Sequence, residues 1–238
     1  MTQHLLRGRD EKEVLWFQRR DTLRAAAAWL AMGGLPAAIA QQRSNIVELS
    51  GDALLNGNRL VPGQTIQTGD QIQTGPGSRL VFALGNASFL VRQNTRMTVE
   101  RGSTLRAVSM LRILTGAVAS VWNKGGSRSI ITPTLTAGIR GTGVYTEIPP
   151  GEDRTYFCNC YGTVDLDAGG TKAVSRSDYH QSFWAEAPAG ATPVIRPAGY
   201  LNHTDEELEL LAGLINQRTY WQVMGRKGTP DGKGTMGY

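Results

Sequence analysis

Between residues 47 and 184, glycine-bearing turns cut the chain into short apolar segments, and no other feature constrains the fold as strongly. Gly51-Asp52, Gly57-Asn58, Pro62-Gly63, Gly69-Asp70, Gly75-Pro76-Gly77 and Gly85-Asn86 separate segments 47–50, 59–61, 66–67, 71–73, 79–84 and 88–92. Further segments cover 97–100, 105–114, 116–122, 129–132, 134–148, 155–166 and 173–184. Turn residues at this density mark an all-β chain, because glycine and Asn or Asp supply the backbone angles that tight turns need. Leu80, Phe82 and Leu84 alternate with other residues and share one strand face. The expected fold is all-β: many short strands in a sandwich, a roll or a solenoid-like wrap, with one C-terminal α-helix. No fixed-length repeat favours a regular solenoid.

The first 40 residues have a different character. Arg19-Arg20 is followed by Asp21-Thr22-Leu23-Arg24, an uncharged Ala-rich stretch and Ala38-Ile39-Ala40. A paired arginine, a modest apolar region and a small-x-small site form a cleaved signal peptide. It resembles the twin-arginine type, which exports folded proteins, although Gln18 and Thr22 depart from that pattern. Residues 1–40 are therefore expected to be a signal peptide cleaved after Ala40, with a periplasmic product. An uncleaved anchor and a core helix compete with that expectation. The stretch is shorter than the roughly twenty apolar residues of a membrane span, and Gly33-Gly34 and Pro36 interrupt it. No transmembrane span is expected in the mature chain.

From Gln41 onward the net charge is +3 and evenly spread, which argues against nucleic acid as a partner. Residues 45–184 form the expected β-domain, and the proline-bearing residues 185–202 an extended connector. Residues 203–224 are expected to hold the helix and a docking segment. Thr204 with Glu207 makes a capping box, and Asp205, Glu206 and Glu207 suit the positive end of the helix dipole. The helix is expected to run to about Gln217, with the stripe of the apolar run Leu208, Leu210, Leu211, Leu214 and Ile215 on the β body. Tyr220-Trp221 is expected to dock back on the body, and 225–238 to be a disordered tail.

The body resembles the FecR-type domain. Gly51-Asp52-Ala53, Asn56-Gly57, Leu60-Val61-Pro62-Gly63, Ile66-Gln67-Thr68-Gly69-Asp70-Gln71-Ile72 and Thr74-Gly75-Pro76-Gly77-Ser78 carry the likeness. Its most specific part is Thr132-Pro133-Thr134 followed by Gly138, Ile139, Arg140, Gly141 and Thr142. Gly162-Thr163-Val164 is similar to a further strand of the family, and the match spans roughly residues 47–170. The best-known members are transmembrane regulators that sense occupied iron-siderophore receptors and control a sigma factor. This chain is expected to lack their anti-sigma and anchor parts, so sigma-factor control is not implied. What the resemblance implies is a periplasmic β-domain that contacts an envelope protein or ligand. In the motif, Gly138, Gly141 and Gly143 are read as allowing close backbone approaches. Arg140 is read as pairing with a buried carboxylate or with carbonyls at a strand corner, ahead of a ligand-binding role.

Cys158 and Cys160 are the only cysteines, and His180 and His203 the only histidines after the leader. Residues i and i+2 of a regular strand sit about 6.5–7 Å apart, at the upper limit for a disulfide. Three readings stay open: a Cys158–Cys160 disulfide, a metal site of Cys158, Cys160, His180 and His203 for zinc or copper, or inert or redox-sensing thiols. Similar FecR-like chains carry a Cys-x-Cys-Tyr-Gly run at this place. Strand parity with Val164 and Leu166 would point both cysteines into the core in the absence of a bulge at Gly162. No nucleophile motif, phosphate loop or metal-hydrolase helix is present, and no catalytic residues are expected. The carboxylates, Asp205 among them, read as turn, strand and helix-surface groups, and Asp178 as a strand-face neighbour of His180.

Overall fold

The computed structural model describes residues 44–102, 107–186 and 191–228. The expected signal peptide, residues 1–40, and residues 229–238 of the expected tail lie outside the described residues. Fifteen strands lie among the described residues. The first seven are β1 (Ile46–Ser50), β2 (Ala53–Leu55), β3 (Asn58–Arg59), β4 (Gln71–Thr74), β5 (Arg79–Leu84), β6 (Ala87–Val91) and β7 (Arg96–Arg101). Then come β8 (Val108–Trp122), β9 (Arg128–Ile131), β10 (Thr136–Ile139) and β11 (Gly143–Ile148). The series ends with β12 (Arg154–Ala168), β13 (Thr171–Ser177), β14 (Gln181–Glu186) and β15 (Val194–Ala198). Two helices follow, α1 (Asp205–Leu214) and α2 (Tyr220–Met224).

The strands form two sheets that share their two longest members. One sheet runs β1-β5-β6-β8-β11-β12-β14-β15, antiparallel throughout. The other runs β3-β2-β4-β7-β8-β9-β10-β12-β13, with one parallel pair, β8 with β9. β8 passes from the second sheet to the first at Gly116, and β12 passes the other way around Gly162. Both glycines have positive φ, +81° and +98°. At Gly116 a Cβ would stand 2.5 Å from Thr95 Cα, so only glycine lets the crossing strand lie against that turn. Residues 105–114 and 116–122, which read as separate segments, thus contain one bent strand. The wrap is a two-sheet sandwich.

Alternation along the shared sheet feeds two cores. Leu80, Phe82, Phe89, Val91, Trp122 and Phe157 meet Ile72, Met97, Leu111 and Val164 between the sheets. Val81, Leu90, Ala119, Val121, Tyr145 and Tyr156 face outward and meet Leu208, Leu211, Ala212 and Trp221. With both faces covered, every residue of β6 is buried. The helix layer is fastened by polar contacts as well. Ser88 Oγ donates to the Leu211 carbonyl (2.7 Å), and Arg79 and Arg92 both pair with Glu207 (2.9 Å each).

The capping box on Thr204 and Glu207 is present at the start of α1. The helix ends at Leu214, earlier than expected, where Asn216 takes a positive φ of 56°. Of the expected connector 185–202, residues 185 and 186 end β14, and the described residues 191–202 contribute a further strand: β15 is hydrogen-bonded to β14 from Ala198 to Val194. No described helix is long and apolar enough to cross a membrane.

Candidate metal centre

β12 is irregular where the cysteines lie. Gly143 pairs with Tyr161 while the next residue, Val144, pairs with Asn159, so Cys160 is an extra residue opposite β11. Such a bulge bends the strand and re-aims its side chains. It brings the two sulfurs to 3.8 Å, as free thiols. That is well beyond the roughly 2.05 Å of a disulfide bond. The parity expectation is corrected here. Because the strand bulges at Cys160 and changes sheet near Gly162, both cysteines face the helix-side core, and Val164 and Leu166 face the core between the sheets.

His180 closes the turn from β13 into β14. Its backbone amide donates to the Cys160 carbonyl (2.9 Å), which holds that turn against the bulge. Its φ of +40° is unusual for a side chain with a Cβ, and it swings the imidazole beneath the sheet. His203 arrives from the opposite direction, immediately before the N-cap of α1, and its ring lies flat on Tyr145 (4.6 Å, 15°). The helix start therefore positions one of the four groups, and the β body positions three.

The ligand atoms of Cys158, Cys160, His180 and His203 all lie within 4.8 Å of one another, and all four residues are buried. Cys158 Sγ is 3.6 Å from His180 Nδ1, and Cys160 Sγ is 3.4 Å from His203 Nε2. The two nitrogens stand 3.1 Å apart. A tetrahedral zinc with ordinary bond lengths needs about 3.8 Å between sulfurs, about 3.6 Å from sulfur to nitrogen and about 3.3 Å between nitrogens. The four distances given lie within a few tenths of an ångström of those values, and the two other sulfur–nitrogen pairs within 4.8 Å.

Outer contacts fix both rings. His180 Nε2–H donates to Asp205 Oδ1 (2.8 Å), and His203 Nδ1–H donates to the Leu201 carbonyl (2.6 Å). Each partner only accepts, so each proton is assigned to the outward nitrogen and the inward nitrogens present lone pairs to each other. Two facing lone pairs at this distance repel unless a cation or a proton lies between them. Asp205 is itself held by Tyr179 Oη (2.9 Å) and Lys227 Nζ (2.7 Å). Burial pushes the Asp205 carboxyl up, but hydrogen bonds from Lys227, His180 and Tyr179 outweigh it and leave its pKa below the usual value.

The thiols differ in the same way. Burial raises the Cys158 thiol, yet the hydrogen bonds of Cys160, His180 and His203 carry it well below the ordinary range. For Cys160 burial and its bond to Cys158 both act upward. Burial lowers His180, while the bonds and charges of Cys158 and Asp205 raise it overall. The two thiols are thus pushed in opposite directions, with Cys158 the more acidic of the pair.

Aromatic rings wall the cluster. Trp221 stacks on His180 (5.3 Å, 29°), and Tyr179 and Tyr200 meet it edge-on (4.5 and 4.7 Å). Trp221 docks on the body as expected from the sequence and is buried, while Tyr220 is exposed. Three participants had been read differently. Asp205, taken as a helix-surface carboxylate, is buried and is the partner of His180 in place of Asp178. Tyr145 belongs to a strand with no visible link to the cysteines. Lys227, assigned to the tail, reaches back to Asp205. An acidic residue two places beyond His203 was the one usable signal.

The Gly138–Thr142 motif lies elsewhere. Gly138 and Ile139 belong to β10, paired with Asp165 and Val164 of β12. Arg140 pairs with Asp165 Oδ2 (2.5 Å), a carboxylate that is half-exposed rather than buried. Thr142 is buried, and its carbonyl accepts from the Trp122 amide. Of the three glycines, Gly143 is the tightest: a Cβ there would overlap the Tyr161 ring. The nearby Thr132-Pro133-Thr134 buries two hydroxyls, each 2.7 Å from Thr155 Oγ1. These contacts join strands, and none of the motif residues belongs to the cysteine–histidine cluster.

A groove of ≈ 910 Å³ lies beside the crossing of β8, lined among others by Arg92, Leu114, Tyr145, Glu147, Pro150 and Arg154. No protein family model matches the chain, and no curated protein matches it. Among solved structures, the chain is similar to two crystal structures of a "putative anti-sigma factor" from Parabacteroides distasonis ATCC 8503. For the first, at 1.65 Å resolution, the TM-score is 0.45 and the identity 9%, over 53% of this chain and 59% of that one. For the second, at 2.50 Å, the TM-score is again 0.45 and the identity 8%, over 63% of this chain and 75% of that one. The chain thus spans 59% of the length of the first of these structures.

Proposed function

We propose that the protein is an exported, non-catalytic, FecR-like β-domain in which Cys158, Cys160, His180 and His203 bind one zinc ion. The observation that carries this reading is the convergence of four buried donor atoms, with His180 Nδ1 and His203 Nε2 3.1 Å apart beside two sulfurs. Zinc fits better than copper. Two thiolates in contact would reduce Cu(II), whereas zinc has no redox chemistry and accepts a tetrahedral Cys2His2 set. All four positions are protein ligands, the arrangement of a structural rather than a catalytic zinc. The ion would join the β body to the segment carrying α1. Asp205 and the Leu201 carbonyl would act as the outer partners that orient the rings.

The role at the level of the cell is binding. The groove beside β8, with arginines, carboxylates and apolar residues along one cleft, is where an envelope protein or ligand would lie. Passage by the twin-arginine route with cleavage after Ala40 would deliver the folded domain to the periplasm. Titrating metal-free protein with zinc in a calorimeter tests the metal reading: one site per chain supports it, and no saturable uptake sinks it.

A further inference from the structure

The four ligand residues are sealed from solvent: Cys158, Cys160 and His180 are 0% exposed and His203 3%. A hydrated ion therefore has no path to them while the surrounding segments are in place. Three of the ligands belong to the β body, where β12 is paired on both sides. Apart from the Tyr200 ring against His180, the remaining wall among the described residues comes from one stretch of chain, residues 201–228. It supplies His203, the Asp205 contact to His180, the Trp221 ring over His180 and the Lys227 contact to Asp205.

That stretch can leave without dismantling the sheets. Its only regular elements are α1 and α2, and it contributes no strand. Its helix rests on β6 and β8 through Leu208, Leu211 and Ala212, while the core between the sheets is built without it. Its polar attachments are single contacts rather than a strand ladder, among them Ser88 to the Leu211 carbonyl, Arg79 and Arg92 to Glu207, Asn202 to Glu147, Gln217 to Asn123 and Tyr179 to Asp205. Segments of this kind open locally at lower free energy than the whole domain.

Resting on the zinc reading above, we propose that residues 201–228 are the gate of the metal site. Zinc enters and leaves only when this segment lifts from the sheet, and ligation by His203 locks the segment down. The ion is thereby both cargo of the gate and its latch. The consequence is kinetic: release follows the opening of the segment rather than the attack of a competitor.

The test is zinc transfer from the full chain to a chromophoric pyridylazo chelator, followed as chelator concentration rises. The expected rate levels off at a plateau set by opening. Leu211→Ala, at a position that is not itself a ligand, raises that plateau about tenfold or more, because truncating a buried leucine weakens docking. Should that variant fail to fold, Glu207→Gln loosens the ion pairs to Arg79 and Arg92 and raises the plateau by less. Backbone amides of residues 204–224 exchange faster once zinc is stripped. A removal rate that climbs linearly with chelator and ignores these substitutions overturns the gate, as does equal exchange with and without zinc. Those results leave the zinc site standing. A chain that takes up no zinc sinks the site and the gate together.

Discussion

Asp205 is the residue on which the site's orientation depends. Its carboxylate holds the His180 ring with Nδ1 inward and is anchored in turn by Tyr179 and Lys227. Asp205→Asn keeps the size but removes the charge, and outer partners of this kind contribute about 10–100-fold in metal affinity. Competition with a chromophoric chelator at equilibrium should show a loss of that order, and unchanged affinity would remove Asp205 from the site. Acid should act in the same direction. The ligands bind zinc only when deprotonated, so affinity falls as pH falls, and protons and zinc exchange for each other. Zinc content measured after dialysis at descending pH checks the sign.

Much of the residue-level picture was legible in the sequence and part of it was hidden. Two cysteines with His180 and His203 put a four-residue candidate cluster forward from the sequence, while the disulfide and inert-thiol readings stayed open beside it. The bulge at Cys160 was not readable, since regular strand spacing separates the sulfurs and nothing in Asn159-Cys160-Tyr161 announces an extra residue. The left-handed turn at His180 was equally silent. Asp205 was visible only as an acidic residue in a first helical turn, where a dipole argument accounts for it without a metal.

At the scale of elements, two features decide the architecture. The capping box at Thr204 starts α1 in register with His203, so the local signal that makes a helix also aims a ligand. Removing it with Thr204→Ala should cost about 1 kcal/mol in urea unfolding and weaken zinc binding with it. Binding that is untouched would separate the cap from the site. The second feature is the crossing of β8 at Gly116. Any side chain there meets Thr95 in a backbone conformation that disfavours it, and Gly116→Val should destabilise the fold by more than about 3 kcal/mol. A shift under 1 kcal/mol in the same assay would mean that the crossing tolerates repacking. Glycine in the sequence reads first as a turn, which is why residues 105–114 and 116–122 looked like separate strands. The capping box needs only four residues to be recognised and was read correctly. A bent strand is defined by its partners, and these are distant in sequence.

The whole molecule is a two-sheet sandwich with a second core laid over one sheet by a helical segment. The all-β class and the C-terminal helix follow from turn density and one amphipathic run. The sharing of β8 and β12 between sheets depends on long-range pairing that no local pattern records. A zinc in the helix-side core would tie the segment carrying α1 to the sheet, so stripping it should lower the thermal midpoint. Ligand present at a thousand times its Kd stabilises the folded state by about 4 kcal/mol. For a domain of this size that corresponds to a fall of about 8–16 °C. A midpoint that ignores chelation would place the metal outside the fold's energetics.

The central claim is that four buried side chains hold one metal ion, and intact mass addresses it most directly. The full chain would be measured without reductant under native and then denaturing conditions, beside a Cys158→Ser/Cys160→Ser variant. The account predicts one zinc per chain that disappears on denaturation, two free thiols in the unfolded protein, and no zinc in the variant. A denatured mass short by two hydrogens with no metal would instead mean a Cys158–Cys160 disulfide and would contradict it.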